Sequence, residues 1–251
     1  MYIVTDGIVL KRVKVSDYDK ILTIFTRKAG KISAAVKGSQ NPKSKLASGA
    51  HPFVYGEFSI SKSGRLSNIT SIDVKNAFYH LREDLDKLTI ASYFLELGHI
   101  VTVENVINNR LFDLLLVFLE ILEKSESLEK QHLIKVAFEL KLLEVIGLKP
   151  ELNRCVNCGK ETDDPKFTIE EGGVICKDCY ELYPGNYRIG HVIPKLMKFI
   201  MASPIEKIID TEIDAVLVKK IDFILNEFLL YHLERKGFRT LKHFNEIKSH
   251  S

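Results

Sequence analysis

The chain has no apolar run long enough to cross a membrane. Its longest, Leu114–Leu119, stops at Glu120, far short of the roughly 20 residues a spanning helix requires. The N-terminus lacks a basic leader, and Asp6 interrupts its short apolar stretch, so a soluble, cytoplasmic location is expected. The phosphate loop GxxxxGKS/T, the dinucleotide pattern GxGxxG and the zinc-protease pattern HExxH are all missing. Their absence argues against an ATP-driven motor and against a metalloprotease. No internal repeat or low-complexity tract occurs, and 45% hydrophobic with 27% charged residues in 251 is the composition of a globular chain. That length can bury a sizeable core and accommodates one to three domains.

What is present divides into regions. Residues 1–80 read as β structure, with short segments rich in Val, Ile, Phe and Thr at Gly7–Lys14, Lys20–Arg27, Lys31–Lys37, Phe53–Ser61 and Leu66–Val74. Turn chemistry separates them at Lys28–Gly30, Gly38–Gly49 and Ser63–Arg65. Alternation sets Val54, Gly56, Phe58 and Ile60 on one face. Five short strands suggest a small barrel or sandwich and fit a five-stranded OB barrel by count, which alone does not exclude an SH3-like barrel. From Leu81 the period changes to that of helices, over Leu85–Val103, Ile107–Glu123 and Leu128–Ile146. The last is apolar nearly all round, which predicts a central position in a bundle, and Gly147 and Pro150 should end it. Val192–Ala202 and Glu212–Arg235 read as helices again.

Charge is unevenly distributed. Residues 1–80 carry 13 Lys and Arg against 5 Asp and Glu, a balance of +8, whereas residues 81–150 carry 8 against 12, a balance of −4. A basic β domain favours a polyanionic partner. The candidate phosphate contacts are Lys11, Arg12 and Lys14 at the end of the first strand, Arg27, Lys28 and Lys31 around a turn, and Lys37, Lys43 and Lys45 around the long loop. Such a surface binds with steep salt dependence and little sequence preference. Tyr18, Phe25, Phe53 and Tyr55 are aromatic, but most are expected in the core and none is assigned as a base platform. Near the C-terminus, Arg235, Lys236, Arg239 and Lys242 lie among apolar residues. They read equally as a helix end matched to its dipole or as the rim of a groove for an acidic, hydrophobic peptide.

The four cysteines form two pairs, Cys155/Cys158 and Cys176/Cys179, separated by 17 residues. Each CxxC folds back so that both thiolates meet one ion, and two such knuckles complete a tetrahedral zinc site. Phe167–Ile169 and Val174–Ile175 read as the short strands of a ribbon. Four thiolates close the coordination shell, so the zinc is expected to be structural, stapling a segment too small to hold its own core. Asp6, Asp17 and Asp19 form only a weak case for a nuclease metal cluster, because Asp in a turn commonly serves the backbone. The eight histidines are scattered and read as surface or packing residues.

Taken in series, several stretches resemble the RecO family of bacterial DNA repair and recombination mediators. They are Gly7–Lys11, Thr26–Lys31, Val36–Gly38 with Lys43–Lys45, Pro52–Phe53, Phe138–Leu143 leading into Gly147–Pro150, Cys155–Gly159 and Gly172–Cys176. The resemblance implies an α+β multidomain chain. Residues 1–80 would be a nucleic-acid-binding OB-fold barrel, and 81–150 and 191–251 two parts of an α-helical domain interrupted by a four-cysteine zinc ribbon at 151–190. It further implies a protein without enzymatic activity that binds single- and double-stranded DNA, anneals complementary strands, and works with RecR. Such a protein engages the C-terminal tail of the single-stranded DNA-binding protein and helps load RecA in gap repair. Its expected location is nucleoid-associated in the cytoplasm. Two rival readings share parts of the pattern: a zinc-ribbon RNA-binding module and a DNA-processing enzyme. A purely structural interaction protein would bind no nucleic acid.

Overall fold

The computed structural model describes residues 2–17, 19–37, 46–63 and 66–241. Five strands, β1 (Tyr2–Lys14), β2 (Lys20–Thr26), β3 (Gly30–Val36), β4 (Tyr55–Ser63) and β5 (Leu66–Asn76), close into a barrel in the order β1-β2-β3-β5-β4. Every neighbouring pair is antiparallel except β3 and β5, which meet in parallel at Ala34/Ser67 and Ala35/Asn68. This is a five-stranded OB barrel. The alternation foreseen in β4 holds: Gly56, Phe58 and Ile60 are buried, and with Val9, Leu22, Ile24, Ala34, Val36, Val54 and Ile69 all but Gly56 fill the barrel's core. β1 begins earlier than its β pattern indicates, because its first half pairs with β4 from Tyr2 to Ile8 and its second half with β2 from Gly7 to Lys14.

Gly7 through Leu10 are buried in succession, so both faces of β1 are covered there. Helix α1 (Leu85–Val101), begun by the Asp84 carboxylate accepting the Lys87 amide, lies beside β1. A Cβ at Gly98 would stand 3.5 Å from Leu115 of α2 (Asn109–Lys124) and 3.8 Å from Leu10, so the bare glycine faces both. Phe25 of β2 meets Phe112 of α2 at 5.7 Å between ring centroids. The joint is fixed at the start of β3. Lys31 is only 8% exposed, and its ammonium donates to the carbonyls of His99 at 2.7 Å and Thr102 at 2.6 Å, capping the end of α1 with a cation. The Lys31 carbonyl in turn accepts the Asn105 amide at 2.9 Å. Gly30 beside it has φ +66°, and a Cβ there would stand 2.2 Å from the Val106 carbonyl oxygen.

In the second unit α3 (Leu128–Val145) is central, as its apolar circumference predicts: Leu133 through Leu140 are buried without a break. It packs against α4 (Val192–Ala202), α5 (Ile205–Asp210) and α6 (Ala215–His232). Two lysines on α3 are used internally. Lys135 is paired with Glu139 at 2.8 Å and with Asp222 of α6. Burial pushes its ammonium towards discharge, and the two carboxylates more than offset that and hold it charged. Lys141 donates to the carbonyls of Met201 and Ser203 at the end of α4. Residues 166–188 form a three-stranded sheet ordered β7 (Gly173–Ile175), β6 (Lys166–Thr168), β8 (Tyr187–Arg188). Phe167 of β6 meets Phe228 of α6 at 6.1 Å, and His232 shares a 2.8 Å hydrogen bond with the Ile169 carbonyl.

The chain divides into two compact units, Met1–Lys124 with the segment from Arg239, and Ser125–Phe238. The division falls inside the helical region, between α2 and α3, because α1 and α2 pack on the barrel whereas α3 gathers α4 to α6. The Glu96 carboxylate of α1 takes the backbone amides of Arg239 and Thr240 and the Thr240 hydroxyl, which ties that returning segment to the first unit. Among the described residues no helix is long and apolar enough to cross a membrane.

Replacing Lys31 by Met keeps the buried stem but leaves two carbonyls without their donor. It should lower stability in urea by about 2 kcal/mol, against less than about 0.5 kcal/mol for exposed Lys37→Met. Gly30→Ala should destabilise at least as much as Lys31→Met. Equal effects at positions 31 and 37 would contradict the cap.

Candidate metal centre and basic barrel surface

The first knuckle turns at Cys155–Gly159, where the Gly159 amide returns to the Cys155 carbonyl at 2.8 Å and the Cys155 amide to the Lys160 carbonyl at 2.8 Å. The second is a single turn in which the Cys179 amide donates to the Cys176 carbonyl at 3.0 Å. Together they bring all four sulfurs within 4.8 Å of one another. The Cys158 and Cys176 sulfurs are 3.6 Å apart, close to the edge of roughly 3.8 Å that four sulfurs take around a tetrahedral ion with bonds near 2.3 Å. No cysteine is in a disulfide, and only Cys158 is exposed.

The electrostatics of the cluster call for a cation. Burial raises the Cys155 thiol, but backbone amides at Cys158, Cys176 and Asn157 outweigh it and bring the group down to about 6. The Asn157 amide works to lower Cys179, yet burial and the neighbouring sulfurs together push it up to about 12. Once one sulfur is ionised the others resist, so four thiolates coexist only around a positive ion. The donor set fits a metal, and with four protein ligands it leaves no open position for a reacting water.

Sequence reasoning assigned the four ligands and missed what steadies them. Asn157 lies between the two cysteines of the first knuckle, and its Nδ2 donates to the Cys179 sulfur at 3.3 Å. The Tyr183 hydroxyl donates to Asn157 Oδ1 at 3.1 Å, which fixes the amide's orientation. An Asn inside a CxxC was visible in the sequence, but its partner across the second knuckle was not.

The basic residues of the barrel do not form one surface. Lys11, Arg12 and Lys14 are exposed along the end of β1, and exposed Lys37 follows β3. Lys14 faces Lys20 across the strands, and Lys20 faces Val36, so these cations share one end of the β1-β2-β3 surface. Arg27, Lys28 and Lys31 lie at the other end of β2, about 20 Å away at some 3.3 Å per residue, and each has an internal partner. Arg27 pairs with Asp113 and stacks 4.3 Å from the Phe112 ring centroid. Lys28 donates to the Val4 carbonyl at 2.8 Å, and Lys31 is the buried cap already described. Lys43 and Lys45 fall outside the described residues, as do Tyr18 and Lys242.

The aromatics are similarly occupied. Phe25 and Phe53 are buried, and the Tyr55 hydroxyl donates to Asp6 at 3.3 Å. Asp6 also receives Lys75 at 2.6 Å, and Asp17 pairs with Lys14. Among the described residues only the four cysteines form a group able to hold a metal ion, and Asp6, Asp17 and Asp19 are not gathered into one. Arg235, Lys236 and Arg239 are exposed just beyond α6. The Arg235 amide returns to the Leu230 carbonyl at 2.8 Å, which is how a helix closes its last turn.

Asn157→Ala should weaken binding of a thiophilic divalent ion about tenfold without changing the number bound. Chelator competition measures this, and an unchanged affinity would remove Asn157 from the site.

Two family models match successive parts of the chain: recombination protein O N terminal over residues 1–78 and recombination protein O C terminal over residues 82–242. DNA repair protein RecO of Alkaliphilus metalliredigens is 38% identical over 96% of this chain and 98% of its own length. That of Acetivibrio thermocellus is 32% identical over 93% of each, and that of Bacillus pumilus 29% identical over 99% of this chain and 96% of its own. Both family models and these relatives agree over nearly the whole length, and the chain belongs to the RecO family of DNA repair proteins.

Proposed function

We propose that this chain is a DNA-binding recombination mediator without catalytic chemistry of its own. It binds single- and double-stranded DNA, anneals complementary strands, and with RecR helps load RecA onto strands coated with single-stranded DNA-binding protein. The observation that carries the DNA contact is the group of exposed cations Lys11, Arg12, Lys14 and Lys37 at one end of the barrel, where Lys14 also pairs with Asp17. A group of this kind neutralises phosphate backbones, and the counterions it displaces favour the complex. Lowering their mutual repulsion speeds strand pairing without any bond being made or broken.

The family resemblance supplies the partners, RecR and the acidic C-terminal tail of the single-stranded DNA-binding protein. Arg235 and Lys236 suit an acidic tail by charge, and tethering to a coated strand raises the local concentration of the barrel at the gap. Zinc is the ion proposed for the cysteine cluster, as four thiolates favour a soft tetrahedral site. Its role is to hold residues 151–190 folded against α6, and the location proposed is the cytoplasm, at the nucleoid.

The test is the salt dependence of binding to an oligonucleotide. Removing Lys11 and Lys37 together should weaken binding and reduce the slope of log K against log salt by about 1.4 on single strands. Arg27→Gln, at a cation already paired within the fold, should leave the slope in place. An unchanged slope in the double variant would overturn the assignment of this face.

A further inference from the structure

His51 begins a tight turn, closed by the Val54 amide donating to the His51 carbonyl at 3.3 Å. Pro52 suits the second position of such a turn, but the third requires a positive φ that ordinarily calls for glycine. Here it is Phe53, at φ +73°. The conformation is held from outside. Arg82 donates to the Pro52 carbonyl at 2.9 Å and lies 5.4 Å from the Phe53 ring centroid, while the Phe53 amide donates to the Val9 carbonyl at 3.0 Å. A non-glycine residue kept in this region by surrounding contacts points to something the turn must present.

What the turn presents is the His51 imidazole, 2.9 Å from Arg12 Nη1 through its Nδ1. Arg12 only donates, so Nδ1 there is an unprotonated acceptor and the ring is neutral. The charged groups acting on it come from each neighbouring element: Arg12 from β1, Lys20 from β2 and Arg82 from the short turn after β5, all positive. Burial and these three cations hold the imidazole below its ordinary range. The charges that act on this ring are thus those of three cations drawn from three separate elements.

We propose that Arg12 and His51 form a phosphate-binding subsite in which binding of a DNA phosphate is coupled to uptake of one proton from solvent by His51 Nδ1. The proposal rests on the DNA-binding reading above and adds its regulation. Protonation removes the Nδ1 lone pair, so the hydrogen bond from Arg12 is given up. A phosphate oxygen then accepts from both the guanidinium and the imidazolium. The bound negative charge raises the imidazole's proton affinity, and by linkage affinity for DNA rises as pH falls from the range of the bound state to that of the free one. The acidic limb thus favours the complex and the alkaline limb its release.

Binding of a labelled oligothymidylate is measured by anisotropy at constant ionic strength, since thymine and the phosphodiester do not titrate near neutrality. The dissociation constant should fall roughly three- to tenfold from about pH 8 to about pH 6, and His51→Gln should remove most of that dependence. For the unmodified chain, calorimetry in two buffers of different ionisation heat should show net proton uptake near neutral pH. A variant with the unmodified pH dependence, or binding heats independent of buffer, would overturn the subsite while leaving DNA binding intact. No binding at any pH would instead overturn the DNA-binding reading, and the subsite with it.

Discussion

The Lys31 ammonium reaches from the barrel to the carbonyls of His99 and Thr102, and the arrangement of the first unit depends on that contact. A lysine in a basic strand would ordinarily face water. Here its charge is buried and answers the carbonyls at the end of α1, so barrel and helix become one body. Gly30 permits the approach, because any side chain there would strike the Val106 carbonyl. With α1 fixed, α2 follows through Leu115 and Phe112, and the outer face of β1 is covered. The same device recurs where Lys87 meets the Glu123 carbonyl and where Lys141 meets the end of α4. Several cations in this chain serve helix ends rather than ligands.

That internal use sorts the basic surface. A charge with a buried partner within the chain contributes little field outside it, whereas an exposed one keeps its counterions until a polyanion displaces them. The barrel therefore has a structural end around Arg27 and Lys31 and an exposed end around Lys11 and Lys37. The cysteine cluster is held apart from both functions in chemical terms. Its shell is complete, and the side chains around it orient sulfur rather than substrate.

Local pattern carried much of this organisation. Period-two alternation in β4 and the apolar circumference of α3 reflect burial of the segment itself, and both were legible in the sequence. So were the four ligands, because a CxxC knuckle is a local structure with a fixed geometry. The partners of the cations were not legible. Arg27 meets Asp113 and Lys31 meets Thr102, separations along the chain that no local pattern encodes. Short elements such as α5 and β8 were missed for a related reason, since they exist through packing on α3 and on β6 rather than through a pattern of their own. His51 read as a surface or packing histidine because the turn that presents it is imposed by Arg82 and Val9.

The central claim is that this molecule acts on DNA by charge and tethering alone. It is tested most directly by mixing two complementary labelled strands, each coated with single-stranded DNA-binding protein, with the chain and no nucleotide. The account predicts faster duplex formation with both strands at their original length. Pairing no faster than in the chain's absence, or strands shortened in the process, would contradict it.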